Sequence, residues 1–260
     1  MTPLEPPRLG RPPLSKRAFR RIVEFRGFQR LPLHQYRNRV RRLYDGPAGA
    51  WLLFASLLSM HQPLMGRMLK KRNFDLGRFQ SILDVGSGAG QILGHLLKHT
   101  HPEVDIVACD LSPQMLRRAR QSMGMRRSGL QHRPRWPRFI AADVARLPFA
   151  DQTFDCVTCG YVLEYLPDPL PGLAELHRVL KPGGSLLLAA TEDTFTGFLN
   201  GRMWSCRTFN RDELRQACQH VGLPWNRQMW FTRLHEFCKL GGIVVEARKE
   251  TNGVGSHQCS

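Results

Sequence analysis

Residues 83–90 read Leu83-Asp84-Val85-Gly86-Ser87-Gly88-Ala89-Gly90, and this stretch decides the fold. The apolar residues before the first glycine predict a short buried strand, and residues 91–99 predict a helix that follows at once. Glycines let the backbone turn sharply and let a ligand approach atoms that a Cβ would shield. The start of a helix offers unpaired N–H groups. A strand, a glycine turn and a helix in this order indicate a site for a nucleotide-like ligand.

The spacing of the glycines argues against a dinucleotide. The dinucleotide fingerprint is G-x-G-x-x-G. Here Gly86, Gly88 and Gly90 read G-x-G-x-G, and Gln91 stands where the fingerprint requires its third glycine. An acid, Asp84, precedes the first glycine. This spacing resembles motif I of the class I S-adenosylmethionine-dependent methyltransferases.

Two further acids follow predicted strands. Residues 104–109 form an apolar run that ends at Asp110, twenty residues past the last glycine of the turn. A ribose-binding acid belongs at this place in βαβ units. Residues 139–142 predict a third strand, which ends at Asp143. Because ligands bind outside the carboxyl ends of parallel strands, we expect these acids to face one site.

Beyond Asp143 the chain continues to alternate between strands and helices. Residues 154–160 predict a fourth strand, and a Leu-Lys-Pro-Gly-Gly turn at residues 180–184 precedes a fifth strand at residues 185–190. Asn210 is expected to cap a helix that runs to His220. These features resemble the methyltransferase subgroup that includes enzymes of the ubiquinone and menaquinone pathways and many small-molecule methyltransferases.

The resemblance is close over residues 81–191 and looser over residues 209–249. It implies an α/β, Rossmann-like, seven-stranded methyltransferase fold, with a mostly parallel sheet, an antiparallel last strand and an N-terminal helical extension. Residues 225–232 and 242–247 would form the closing antiparallel pair of strands.

The same resemblance implies that S-adenosylmethionine is the cofactor. Asp84 would meet the methionine ammonium group, Asp110 the ribose and Asp143 the adenine amino group. The residues expected to bind the cofactor are Asp84, Gly86, Ser87, Gly88, Gly90, Asp110, Leu111, Asp143, Val144 and Gly160.

The acceptor pocket is expected between the helices before the glycine turn and an aromatic, glycine-hinged loop after the fifth strand. An alternative is that the aromatic residues of the early helices are simply core. The residues expected to line the pocket are Trp51, Phe54, Phe195, Phe198 and Trp204.

No general base is identified from the sequence. Methyl transfer from a sulfonium mainly requires the protein to aim the nucleophile and to exclude water, because the donor is already activated. The weak candidates for a catalytic role are Tyr161, Tyr165 and His61, and Glu164 is expected to face solvent or to cap local backbone.

The positive charge of the chain is uneven. Residues 1–80 hold 17 Lys/Arg and 4 Asp/Glu, whereas the rest holds 21 Lys/Arg and 17 Asp/Glu. Residues 117–138 contain eight arginines and no acid. Such segments favour anionic partners, namely nucleic acid, an acidic membrane surface or an acidic substrate. The alternative is a solvated arm without a specific partner.

Composition and the resemblance together divide the chain into four parts. Residues 1–42 form a basic, Pro/Arg-rich extension that is expected to be partly disordered, and residues 43–78 are expected to form helices that cover the site. The methyltransferase domain is assigned to residues 79–250, and residues 251–260 to a disordered tail. The oligomeric state is not indicated.

Cysteine and apolar patterns favour a cytoplasmic protein that touches a membrane at most peripherally. Cys156 and Cys159 form a C-x-x-C pair, but no second pair accompanies it, and both lie in a predicted buried strand. They are interpreted as core residues, so no metal site is expected. The most apolar stretch, residues 51–60, is about half as long as a membrane-spanning helix.

Two classes of acceptor remain open. A small apolar or amphiphilic molecule, such as a quinone precursor or a lipid, suits the aromatic loop. A nucleic acid, in particular RNA, is the alternative that the charge suggests. Residues 159–162 lack the Asn/Asp-Pro-Pro-aromatic signature of amino-group base methylation, which argues against the second class. A non-catalytic binder ranks last, because no expected cofactor residue is missing.

Overall fold

The computed structural model describes residues 32–46, 69, 74–127, 135–194, 197, 201, 206–230 and 242–251. Strands and helices alternate through these residues, as the sequence predicts. The helices are α1 (Leu33–Asp45), α2 (Gln91–His99), α3 (Pro113–Arg127), α4 (Leu170–Val179) and α5 (Arg211–His220). The strands are β1 (Ser81–Val85), β2 (Asp105–Asp110), β3 (Arg138–Ala141), β4 (Phe154–Gly160), β5 (Leu180–Ala190), β6 (Trp225–Gln228) and β7 (Ile243–Arg248).

The seven strands form one sheet in the order β3-β2-β1-β4-β5-β7-β6. Strands β1 to β5 are parallel to one another. Strand β7 runs antiparallel between β5 and β6. The predicted α/β fold, with a mostly parallel sheet and an antiparallel last strand, is confirmed. The order of the strands reverses beside β1, so the carboxyl ends of β1, β2 and β4 border a crevice of the kind that binds ligands.

Two apolar layers cover the faces of the sheet. Helices α4 and α5 contribute to one buried cluster, and α2 and α3 contribute to the other. The two cysteines of the C-x-x-C pair lie in different layers, Cys159 in the first cluster and Cys156 in the second. Residues three apart in a strand point to opposite faces. Both thiols are buried, so they act as small apolar core groups.

Strand β5 begins five residues earlier than the sequence analysis expects. Leu180 pairs with Phe154 of β4, and an irregular register separates this pair from the regular ladder that begins at Ser185. The Pro-Gly-Gly segment is held in the sheet from its other side, since Gly183 N donates to Lys249 O at 3.0 Å and Lys249 N donates to Gly184 O at 2.9 Å. The predicted turn is therefore an irregular start of the strand rather than a separate element.

A buried carboxylate connects the start of the sheet to its far side. Glu246 of β7 forms one ion pair with Arg78 at 2.8 Å and another with Arg227 at 3.3 Å. The Ser185 hydroxyl donates to the same carboxylate at 3.3 Å. A buried acid is tolerated when such cations and donors surround it. This cluster fixes the segment before β1 against β5, β6 and β7.

Helix α1 lies across the carboxyl edge of the sheet. It ends at Asp45, just before Gly46, and it spans the predicted boundary between residues 42 and 43. Tyr36 and Val40, one turn apart, are buried in the same cluster as α4 and α5. The limits of the domains stay a prediction. Within the described ranges, no helix is long and apolar enough to cross a bilayer.

Candidate functional site

The glycine turn between β1 and α2 is held by the end of β2. Gly86 N and Ser87 N both donate to Cys109 O, at 2.8 and 3.0 Å. The Ser87 hydroxyl donates to Asp84 O at 2.9 Å, which closes the turn on its own strand. Gly90 precedes the first residue of α2 and adopts a left-handed conformation, as a glycine can without strain. The turn thus presents backbone at the helix start.

The three glycines are required for different reasons. A Cβ on Gly86 would lie 2.1 Å from Val162 Cγ2, so this glycine allows the segment after β4 to pack against the turn. A Cβ on Gly90 would lie 3.0 Å from Met123 Cε of α3. A Cβ on Gly88 would meet nothing closer than 3.9 Å. The backbone at Gly88 therefore faces open space, where a ligand can approach it.

Asp110, at the end of β2, binds the glycine turn directly. Its Oδ2 accepts from Gly88 N at 2.9 Å, and its Oδ1 accepts from Ser112 N at 2.8 Å. Burial raises the pKa of Asp110, and both backbone donors oppose that rise. Ser112 also caps α3, because Met115 N donates to its hydroxyl at 3.1 Å. The acid is therefore fixed between two turns.

Asp84 is fully buried at the carboxyl end of β1. Its Oδ1 accepts from the Thr158 hydroxyl of β4 at 2.7 Å. In the part of the chain that the structure describes, its Oδ2 accepts no hydrogen bond. Burial raises the pKa of Asp84 to about 6. A buried polar atom without a partner is costly, so this oxygen is suited to a ligand that brings a positive charge or a donor.

Asp143, just after β3, is contacted by helix α1. The Tyr36 hydroxyl donates to Oδ1 at 2.6 Å, and Arg37 Nε donates to Oδ2 at 2.5 Å. Ala145 N also donates to Oδ1, at 2.9 Å. Val144, which lies between Asp143 and Ala145 in the sequence, is buried and lies close to Gly172 of α4. The carboxylate assigned to the adenine is therefore also the point where α1 docks.

Two other predicted cofactor residues have packing contacts of their own. Gly160 ends β4, and a Cβ there would lie 2.8 Å from Ile92 Cδ1, so this glycine allows α2 to approach the strand. Leu111 is half-buried, and its carbonyl accepts from Arg41 Nε of α1 at 3.2 Å. Both lie at the carboxyl edge beside the glycine turn, but their roles toward the cofactor stay predictions.

Two of the candidate catalytic residues lie just after β4. Tyr161 has a left-handed backbone with a φ of 57°, and its N–H donates to Ala189 O at 2.8 Å. The hydroxyls of Tyr165 and Tyr44 share a hydrogen bond of 2.5 Å. Burial raises the pKa of both Tyr161 and Tyr165. They are therefore neutral near pH 7 and are better suited to donate a hydrogen bond than to accept a proton.

The expectation that Glu164 faces solvent is wrong. Its side chain is 1% exposed, and its Oε1 accepts from Thr191 N at 2.7 Å, at the end of β5. In the described residues its Oε2 accepts no hydrogen bond. Burial raises the pKa of Glu164 to about 7. The sequence gives little signal for this, because a lone acid after a strand is usually exposed.

The remaining candidates lie outside the described residues. They are the catalytic candidate His61 and the pocket residues Trp51, Phe54, Phe195, Phe198 and Trp204. The sequence analysis in turn missed the residues of α1 that meet the site. The spacing of Tyr36, Val40 and Tyr44 at four-residue intervals is the signal that predicts their shared face.

The described residues fit S-adenosylmethionine. The open space at Gly88 gives a ligand access to the backbone. The unsatisfied oxygen of Asp84 suits a positively charged group, and Asp110 at the edge of the sheet suits a ribose. Asp84 would take the methionine end, Asp110 the ribose and Asp143 the adenine, and these assignments stay proposals.

Known proteins share this sequence pattern and fold. A family model described as a methyltransferase domain matches residues 83–188. A demethylmenaquinone methyltransferase of Deinococcus radiodurans is 42% identical over 107 residues, covering 41% of this chain and 41% of that protein. A demethylmenaquinone methyltransferase of Streptomyces griseus is 31% identical over 170 residues, covering 65% of this chain and 68% of that protein. The chain thus spans less than half of the first relative and about two thirds of the second.

The solved structures agree on the fold. The magnesium protoporphyrin IX methyltransferase of Synechocystis, solved with bound SAM, superposes with a TM-score of 0.62 at 16% identity, covering 83% of this chain and 97% of that one. At this identity the likeness shows the fold alone. With the methyltransferase relatives and the seven-stranded sheet, it completes the assignment: the chain belongs to the class I S-adenosylmethionine-dependent methyltransferases, and it resembles those of the menaquinone pathway.

Proposed function

We propose that this chain transfers a methyl group from S-adenosylmethionine to a small apolar or amphiphilic acceptor, of the quinone-precursor or lipid class. The observation that carries the choice of acceptor is the similarity to demethylmenaquinone methyltransferases, which extends over 107 residues in one relative and 170 in another. The arrangement of Asp84, Gly88 and Asp110 at one edge supports the choice of cofactor.

The chemistry follows from what these residues hold. When bound, the cofactor supplies an activated methyl group on a sulfonium, so the protein needs no strong electrophilic catalyst. Asp84 contributes a buried negative charge near the cationic end, and Asp110 fixes both the turn and the ribose edge. The protein otherwise aims the acceptor and excludes water, which accounts for much of the rate enhancement in such substitutions.

The acceptor would lie beyond the carboxyl end of β4. Tyr165 and Tyr44 bring paired hydroxyls to this region. Their raised pKa values make them donors that orient an oxygen-bearing acceptor. The aromatic residues Phe195, Phe198 and Trp204 would supply the apolar part of the pocket. His61 stays a candidate for receiving a proton.

The test is an acceptor assay with a matched pair of substrates. Purified protein is incubated with S-adenosylmethionine and either a short-chain demethylmenaquinol or total RNA, and S-adenosylhomocysteine and methylated product are measured by mass spectrometry. The proposal expects product from the quinol and none from RNA. Product from RNA alone would reverse the choice of acceptor and support the nucleic-acid alternative.

The basic segments are proposed to contact an anionic membrane surface, where an apolar acceptor would be found. Helix α3 carries five arginines and no acid along residues 113–127, and Arg117 and Arg120 are exposed on it. Such a face attracts acidic headgroups by about 1 kcal/mol per cation. Flotation with anionic and with neutral liposomes tests this, and RNA capture tests the alternative. Equal flotation with both liposomes would contradict the proposal.

A further inference from the structure

Among the described residues, three groups donate to Asp143, and helix α1 supplies two of them. Tyr36 and Arg37 donate from α1, to Oδ1 and Oδ2 respectively, and Ala145 N donates to Oδ1. An ionised carboxylate offers about four acceptor positions, two on each oxygen. Oδ1 is therefore filled, whereas Oδ2 retains room for one more donor. The side chain of Asp143 is 9% exposed, so a small part of it is accessible to a further donor.

We propose that Tyr36 and Arg37 are positioning residues of the cofactor site. They orient the Asp143 carboxylate so that the remaining position on Oδ2 faces the amino group of the adenine. This rests on the proposed cofactor assignment of Asp143. Both bonds from α1 are charge-assisted, because their acceptor is a carboxylate, and such bonds are about twice as strong as bonds between neutral groups.

Three further contacts hold α1 over the same edge. Arg41 Nε donates to Leu111 O after β2, and the hydroxyls of Tyr44 and Tyr165 pair after β4. The Ser112 hydroxyl donates to Asp45 at the end of α1. Helix α1 thus spans the loops after β2, β3 and β4, which are the loops proposed to hold the ribose, the adenine and the acceptor. A shift of α1 would therefore also shift the loops that form the proposed cofactor site.

A thermodynamic consequence follows from that link. If docked α1 improves cofactor binding through Asp143, bound cofactor must stabilise docked α1 by the same factor. Amide hydrogen exchange in residues 33–45 is therefore expected to slow when the cofactor product binds. The opposite arrangement, in which Arg37 competes with the adenine for Asp143, predicts faster exchange on binding.

The test is the affinity for S-adenosylhomocysteine, measured by calorimetry without any acceptor. Arg37→Ala is expected to weaken binding about tenfold, and Tyr36→Phe by a smaller factor. Arg42→Ala is the matched control, because Arg42 is exposed on the same helix and is expected to leave the affinity unchanged. Arg37 is partly exposed, with 36% of its side chain accessible, so its removal is not expected to unfold the protein.

A second ligand separates positioning of the adenine site from general loosening. S-inosylhomocysteine lacks the adenine amino group, so the unaltered protein should bind it more weakly than S-adenosylhomocysteine. Arg37→Ala should reduce that discrimination, whereas a merely structural defect would weaken both ligands equally. Unchanged or tighter binding of S-adenosylhomocysteine by Arg37→Ala would overturn the proposal. Failure of the unaltered protein to bind S-adenosylhomocysteine would instead refute the proposed cofactor.

Discussion

The carboxylate of Asp110 accepts a hydrogen bond from the backbone N–H of Gly88 at 2.9 Å. The acid that ends β2 is therefore hydrogen-bonded to the turn that follows β1. The residue that shapes the glycine turn is therefore also the one proposed to bind the ribose of the cofactor. Shaping and binding are separable by substitution, because the two functions depend on different properties of the carboxylate.

Asp110→Ala is expected to weaken S-adenosylmethionine binding by about one to two orders of magnitude, because it removes charge-assisted hydrogen bonds. Asp110→Asn keeps the shape and one carbonyl acceptor for Gly88 N, but it removes the charge. It should keep the stability of the protein nearer to that of the parent while still losing affinity. Calorimetry and thermal denaturation measure the two effects. If Asp110→Ala binds the cofactor as well as the parent, the ribose assignment is wrong.

Alanine substitutions at two glycines of the turn should have different main effects. Gly86→Ala should destabilise the fold, because its Cβ would lie 2.1 Å from Val162 Cγ2. Gly88→Ala should cost about 1 kcal/mol of stability for its positive φ. Its methyl group points into open space, so its main effect should be lost cofactor affinity. Thermal denaturation measures the stability of both variants, and calorimetry measures their affinity for the cofactor. The prediction is wrong if the ratio of lost affinity to lost stability is the same in Gly86→Ala and Gly88→Ala.

Glu164→Gln should change how stability depends on pH. The pKa of Glu164 is raised from 4.5 to about 7 by burial, so the folded protein holds this proton more tightly than the unfolded chain. Stability from this group is complete below pH 4.5 and is lost as pH rises toward about 7. The raised pKa corresponds to a loss of about 3 kcal/mol of stability as the pH rises, and Glu164→Gln should not show this loss.

The measurement for Glu164 is denaturant unfolding of both proteins at about pH 4 and about pH 8. Asp84 also has a pKa raised to about 6, and it contributes equally to both proteins, so only their difference reports on Glu164. The difference should move in favour of the variant as pH rises. Parallel loss of stability in the two proteins would show that Glu164 is not buried as the structure has it.

Glu246→Ala should destabilise the protein by about 2 kcal/mol, because it removes the buried carboxylate that Arg78 and the Ser185 hydroxyl both contact. Arg227→Ala removes a partner of the same carboxylate that is 46% exposed, and it should cost less than about 1 kcal/mol. Chemical denaturation of both variants gives the comparison. Similar losses in the two variants would mean that the ion pair with Arg78 is not the dominant contact.

The order of strands and helices followed from local patterns. Helix α2 was expected at residues 91–99 and is found there, and the cap at Asn210 is also as predicted. These signals are short-range, since periodicity and capping depend on residues within one or two turns. The boundary of β5 was missed because pairing with β4 and with Lys249 overrides the propensity of a Pro-Gly-Gly segment.

The sequence by itself determined the parallel α/β architecture, the glycine turn and the placing of Asp84, Asp110 and Asp143 at the ends of successive strands. Only the tertiary structure decided which groups these acids meet. Tyr36 lies 107 residues before Asp143, and Arg78 lies 168 residues before Glu246. The burial of Glu164 depends on the same long-range packing. Such contacts carry no local signal, because their energy appears only when the sheet brings distant loops to one edge.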